Sequence, residues 1–380
     1  MGTFLHDGHV EPSDSVYPIT NHLTRTRTRT QNAERRTVRY HLAVRLSLAV
    51  FFLVAAPAYA QQVSFDRLPA DRFDVLAPSA RVAGARGTMT VQQTACRTLP
   101  ATDVRRRIVD VAVQEWAFFG FRVLDRVNPD DDDNDRPFGQ RRRGPRTPQP
   151  PHIADSIAGY WTATPEARWI LERQNQAWNG PDGIAARWRF PWSAAFISWV
   201  MCEGGVGSPG QFQRAAAHHV YIDQAIRARG AATPQSAFAA YDVGEMAIEP
   251  GDLLCSARRP AYRSLADRKS QMGDGARTHC DVIVQVDEKT QRVFAIGGNV
   301  GGAVSLKLLP GERAQGFLRP RILSFGERGT SAFAHLKLRA PAIGANAFDR
   351  SPTVVAIGCT AGFRLPAQAA AANLGIGCNR

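Results

Sequence analysis

The segment Pro191-Trp192-Ser193-Ala194-Ala195-Phe196-Ile197-Ser198-Trp199-Val200-Met201 decides how this chain is read. It is almost wholly apolar, so as a helix it is hydrophobic all round and belongs in the interior. Gly204 and Gly205 follow, and glycine is favoured just beyond a helix C-terminus. The one small hydroxyl near its start is Ser193. A helix N-terminus gathers unpaired N–H groups and positive partial charge. Ser193 therefore has two readings: it caps the helix through its side-chain oxygen, or it is a nucleophile whose developing charge the helix end stabilises. The second needs a base within hydrogen-bond reach, because a serine hydroxyl is not held as a stable alkoxide.

Upstream of this helix, Asp103 to Val123 shows apolar residues every three or four positions, among them Ile108, Val111, Ala112, Trp116 and Phe119. Residues 153–180 and His218 to Ala228 continue the helical pattern. From Gly251 the period changes. Leu253–Cys255, Cys280–Val286, Arg292–Ile296 and Ser305–Leu309 are short runs between turn residues, and Ala332 to Leu338 reads as a last strand. Helices first and strands later predict an α+β fold, its N-terminal helices packed on a small antiparallel sheet.

Around this 103–340 domain the chain is irregular. Residues 61–102 read as a leader without periodicity, and the Ala-, Gly- and Pro-rich residues 341–380 as a loosely attached tail. Residues 126–151 carry an acidic run (Asp130 to Asp133) and then a basic one (Arg141 to Arg143), a composition that buries no core and predicts a mobile surface loop. It lacks the glycine and distal glutamate of a calcium loop.

The N-terminal residues point to export. Arg35, Arg36, Arg39 and Arg45 precede an apolar run, Leu46 to Ala58, and Ala58-Tyr59-Ala60 fits a small-x-small cleavage site. The run is shorter than the roughly 20 residues a bilayer span needs. The expectation is a signal peptide at 39–60, no stable membrane span after its cleavage, and a periplasmic or extracellular destination. Residues 1–38, with their Thr-Arg repeats, are either an unusually long n-region or, the favoured reading, an extension ahead of a true start nearer Val38. All six cysteines follow the cleavage site, which suggests disulfides. Cys255 and Cys280 lie in neighbouring strand-like runs. Cys359 with Cys378 would close the tail and leave Cys96 for Cys202. The formal net charge is +13, and only four lysines occur (Lys269, Lys289, Lys307, Lys337), so the excess is mostly arginine. It reflects either codon bias or adhesion to an anionic surface. No nucleic-acid module accompanies it. No Cys-x-x-Cys pair or His-rich tract suggests a metal, and no motif implies a cofactor; the oligomeric state is not readable.

Candidate site residues lie downstream. His279 opens an apolar strand after a loop containing Gly273 and Gly275, and is the best candidate base. By strand alternation Asp281 shares its face and would fix the imidazole tautomer; the plainer reading is a strand-edge histidine with a solvated carboxylate. Asn299 follows Gly297-Gly298 as a polar third member or simply a turn residue. Cys202, nine positions beyond Ser193, faces away on the helix, and Cys280 points to the opposite strand face from His279, so neither replaces Ser193.

Taken in order, Ser193, Glu249-Pro250-Gly251-Asp252, Thr278-His279-Cys280-Asp281-Val282-Ile283-Val284 and Gly297-Gly298-Asn299 resemble the DUF2272 family and, beyond it, the NlpC/P60 and CHAP (papain-like) amidases and peptidases. In the catalytic relatives a cysteine opens the helix; here Ser193 stands at that position. The resemblance implies an exported cell-wall hydrolase, an amidase or endopeptidase acting on peptidoglycan peptides. Ser193 would attack, His279 would be the base, and Asp281 or Asn299 its orienter. It also implies that His218 and Tyr221, a His-x-x-Tyr pair on one helix face, line the cleft and hydrogen-bond a substrate amide; half-buried helix packing is the alternative. Trp192 would help shape a peptide groove, although aromatics on apolar helices usually pack the core. Asp252 is expected to pin the turn into the first core strand. The competing function is a non-catalytic relative that binds peptidoglycan or a partner protein.

Overall fold

The computed structural model describes residues 64–125, 150–230, 235–259, 262–321 and 332–377, all within the unit Tyr59–Arg380. The expected signal peptide, most of the charged loop at 126–151 and Cys378 lie outside these residues.

Five helices precede most of the sheet: α1 (Ala101–Phe118), α2 (Pro151–Trp161), α3 (Ala167–Trp178), α4 (Ser193–Glu203) and α5 (His218–Gly230). A two-stranded hairpin, β1 (Val82–Ala83) with β2 (Thr90–Val91), lies in the leader, and β3 (Arg122–Asp125) follows α1. The remaining strands are β4 (Phe238–Tyr241), β5 (Leu253–Arg259), β6 (Arg277–Asp287), β7 (Arg292–Val300), β8 (Ala303–Ala314), β9 (Phe317–Pro320) and β10 (Ala332–Leu338). A short helix α6 (Leu265–Lys269) interrupts them, and α7 (Pro352–Cys359) and α8 (Ala367–Ala371) follow. The fold is α+β. The main sheet runs β3-β8-β7-β6-β5-β10-β4, with β9 paired to β8. It is larger than the small antiparallel sheet expected, with eight strands, and β3 pairs parallel to β8.

Helix α4 is the hub. Phe196, Ile197, Trp199, Val200 and Met201 are fully buried, and the helix packs on β6 and β7 and against α1 and α2. Helix α1 is buried as completely, from Ile108 to Trp116. Its Arg105 donates to Asp252 at 2.7 Å and to the carbonyls of Pro250 and Leu338. Asp252 also accepts from the Glu249 and Leu338 N–H groups and pairs with His335. It thus pins the turn, as the sequence predicts, and ties α1 to the sheet.

Both flanking segments are more firmly held than their composition suggests. Arg67 of the leader grips Glu115 of α1 at 2.5 and 2.7 Å, and the fully buried Arg81 pairs with Glu203 at the end of α4. Such pairs hold because each charge is countered and hydrogen-bonded; losing one partner would strand the other. The tail is likewise docked, which corrects the expectation of loose attachment. Ala347 and Phe348 are fully buried, and Phe348 packs on Trp116 and Phe294. Ser351 caps α7 by accepting from the Val354 N–H at 3.2 Å, with Pro352 at the first helical position. A few anchors suffice here, too few to create periodicity.

Cys96 bonds Cys202 and Cys255 bonds Cys280; Cys359 is disulfide-bonded as well. Among the described residues no helix is long and apolar enough to cross a membrane.

Candidate active site

Ser193 is the first residue of α4, and Trp192 occupies the cap position. No side chain caps this helix. The Ser193 hydroxyl turns instead to His218, with Oγ 2.8 Å from Nε2. Two contacts bring them together. Ser198, further along α4, donates through Oγ to the Ala215 carbonyl and accepts from the Ala215 N–H, both at 3.1 Å. That clamps the chain three residues before His218, which opens α5. On the far side, Asp223 of α5 takes a bidentate Arg268 at 2.6 and 2.7 Å and accepts from the Gly273 N–H.

The other nitrogen of His218, Nδ1, hydrogen-bonds the Tyr221 hydroxyl one turn along α5. Burial, with His279 and Lys307 nearby, holds the His218 pKa well below its ordinary value, so the ring is neutral near pH 7. Burial likewise pushes Tyr221 well above the ordinary phenol value. A neutral imidazole carries one proton. If the Tyr221 O–H donates to Nδ1, the proton sits on Nε2 and Ser193 is an acceptor. If Nδ1–H donates to the phenol oxygen, the Nε2 lone pair faces the Ser193 O–H. Only the second arrangement makes His218 a base.

The sheet supplies a second cluster. His279 Nε2 lies 2.9 Å from Asp281 Oδ1, and Lys307 Nζ lies 2.8 Å from Asp281 Oδ2. Asp281 is held far below the usual carboxylate range: burial opposes this, but Lys307 and His279 outweigh it. Burial lowers the pKa of His279 more than Asp281 raises it. The two clusters meet through their imidazoles, with ring centroids 5.3 Å apart. A Cβ on Gly297 of β7 would fall 2.0 Å from Asp281 Oδ1 and 2.9 Å from His279 Nε2, and one on Gly298 would strike Phe196 of α4. The glycine pair lets the sheet close over both the carboxylate and the central helix.

The structure therefore brings Ser193, His218, Tyr221, His279 and Asp281 together and rearranges their expected parts. The partner of Ser193 is His218, read from sequence as a cleft-lining residue, and not His279. Asn299 does not orient His279, a contact made by Asp281; it lies in the irregular end of β7 with a left-handed φ of 57°. Trp192 is 2% exposed and packs face-on against Tyr160, and on Phe119, so it is a core residue and not a groove contact. Lys307 was not anticipated. Its signal was its rarity: it is one of four lysines in a chain that otherwise uses arginine. Among the described residues no group of three His, Cys, Asp or Glu side chains is placed to hold a metal.

The family model described as "Uncharacterized protein conserved in bacteria (DUF2272)" matches residues 150–338. This segment belongs to the DUF2272 family. No curated protein and no solved structure matches the chain. The DUF2272 segment runs from α2 through β10 and contains both clusters, while α1, the leader and the tail that brace it lie outside.

Proposed function

We propose that the chain is an exported hydrolase of amide bonds, related to the NlpC/P60 and CHAP fold, with peptidoglycan peptides as its substrate class. Ser193 is its nucleophile and His218 its base. The observation that carries this reading is the 2.8 Å contact between Ser193 Oγ and His218 Nε2 at the N-terminus of a buried helix. In this mechanism Nε2 removes the hydroxyl proton as Oγ bonds the substrate carbonyl carbon. The first-turn N–H groups of α4 stabilise the oxyanion. The proton then passes to the departing amine as the C–N bond breaks, and water hydrolyses the acyl-enzyme by the reverse route. Asp281 and Lys307 keep His279 fixed beside His218. The disulfides suit an oxidising compartment, and the wall-peptide substrate is taken from the family resemblance.

A second reading, a binding protein without catalysis, is favoured by one feature. The buried Tyr221 O–H has His218 Nδ1 as its hydrogen-bond partner, and donation there places the imidazole proton toward Ser193. The purified protein treated with a fluorophosphonate, and separately with peptidoglycan sacculi, distinguishes the two. The hydrolase reading predicts phosphonylation at Ser193 with loss of fluoride, and defined fragments that Ser193→Ala abolishes. Activity in Ser193→Cys alone would mean an intact groove around a disabled nucleophile, and the binding reading would stand.

A further inference from the structure

The ten residues ahead of Ser193 contain an unfinished backbone edge. Three side-chain contacts from α3 hold residues 186–189. Trp178 Nε1 donates to the Ala186 carbonyl at 2.9 Å, Gln174 Nε2 donates to the Arg187 carbonyl at 3.3 Å, and Gln174 Oε1 accepts from the Arg189 N–H at 3.0 Å. Gln174 is fully buried, so its amide acts as a fixed stand-in for a neighbouring strand. Gln174 thus engages the main chain on either side of Trp188, just ahead of a bend at 189–190, and leaves the N–H and C=O of Trp188 itself unengaged. Among the described residues neither bonds another protein group, and the buried Trp188 indole N–H also has no partner.

The surroundings say what would complete this edge. Arg187 and Arg189 are exposed, and among the described residues neither forms an ion pair. The Arg187 guanidinium reaches the β7–β8 turn, where a Cβ on Gly302 would lie 3.2 Å from Nη2. Phe190 packs edge-on against Trp169, which is 46% exposed. Two residues, Pro191 and Trp192, separate Phe190 from Ser193, a span of at most about 11 Å. A ligand that used the free main-chain groups, neutralised the arginines and lay over the aromatic pair would arrive at Ser193.

We propose that the segment around Trp188, from Arg187 to Arg189, forms a docking edge for an extended, carboxylate-bearing peptide. Its main chain pairs with Trp188 by strand addition, and its acidic side chains meet Arg187 and Arg189. The inference rests on the reading of Ser193 as a site that acts on peptides, and it names where and how the peptide is held.

The test uses the full chain carrying Ser193→Ala, so that binding is followed without chemistry. The probes are three capped pentapeptides: alternating alanine and glutamate, the same with glutamine for glutamate, and the glutamate peptide N-methylated at both acidic residues. Amide and indole N–H resonances are followed during titration. The expected result is movement of the Trp188 amide, its indole N–H and the Phe190 amide with the glutamate peptide. Binding of the glutamine peptide should be about fivefold weaker, and the N-methylated peptide should move none of these signals. The double variant Arg187→Gln/Arg189→Gln should bind the first two peptides alike. An unmoved Trp188 at millimolar peptide, or equal binding of the N-methylated analogue, overturns the docking edge. Fluorophosphonate reactivity of Ser193 does not depend on that edge, so failure here leaves the nucleophile standing, and loss of the nucleophile leaves the edge testable.

Discussion

Two clusters meet through their imidazoles, and they are built from opposite materials. Ser193, His218 and Tyr221, on the two helices, form a chain of groups that are neutral near pH 7, ordered by which atom holds a proton. His279 and Lys307, on the sheet, flank the Asp281 carboxylate, which is locked in its ionised form. When His218 takes the Ser193 proton it becomes a buried imidazolium, a charge that burial opposes and the nearby Asp281 carboxylate favours. The contrast assigns proton transfer to the helices and a standing field with mechanical support to the sheet.

The largest test of this division exchanges the two histidines. His218→Ala should lower fluorophosphonate labelling of Ser193 about 1,000-fold, within the usual range for loss of a general base. His279→Ala should lower it only about tenfold. The reverse order, measured as labelling rates by mass spectrometry, would restore His279 as the base that strand position suggests and would break the comparison. Next in size is Asp281→Asn, which leaves Lys307 facing a neutral amide in a buried setting. Urea unfolding should show a loss of about 3 kcal/mol; a loss under about 1 kcal/mol would mean that the charges are screened and the sheet cluster is not a fixed support.

Gly297→Ala should cost about 2 kcal/mol by overpacking. The cost should shrink in the Asp281→Ala background, because Oδ1 is the atom struck. Simple additivity would show that the clash is relieved elsewhere. The smallest effect concerns pH. Both imidazoles are held below their ordinary value near 6.5 by burial. The labelling rate should therefore stay level as pH falls from 8 to about 6.5 and decline only below it, where the base becomes protonated. Unfolded histidines bind protons before the buried ones do, so the share of stability due to these two histidines should fall with pH only from about 6.5 downward. The buried Asp110, whose pKa is raised to about 7, contributes in the opposite direction. An acid limb centred above 6.5 would indicate a charged, not a neutral, helix cluster.

How much of this was legible in the sequence follows from distance along the chain. Strand alternation places His279 and Asp281 on one face, and they bond. Helix periodicity and the glycine stop mark α4 with Ser193 at its mouth. The Ser193–His218 contact was not legible as a pair, because it depends on the Ser198–Ala215 clamp, a packing event between helices. Lys307 was equally hidden, since its partner is set by the pairing of β6, β7 and β8 and carries no local pattern. Trp192 misled because an aromatic beside a candidate nucleophile looks the same in sequence whether it lines a groove or stacks on Tyr160. The tail misled because its buried side chains, among them Phe348, Val354 and Ile357, hold it without any repeat.

The Cys255–Cys280 bond has a consequence for timing. Cys280 sits between His279 and Asp281 and is crosslinked to its register partner on β5. A slip of one residue there would send His279 and Asp281 to the opposite face of the sheet. The crosslink forbids that slip once it has formed, and it forms only where thiols are oxidised. A newly made chain in a reducing compartment holds this register by packing alone. Oxidation thus fixes the register on which the sheet half of the site depends.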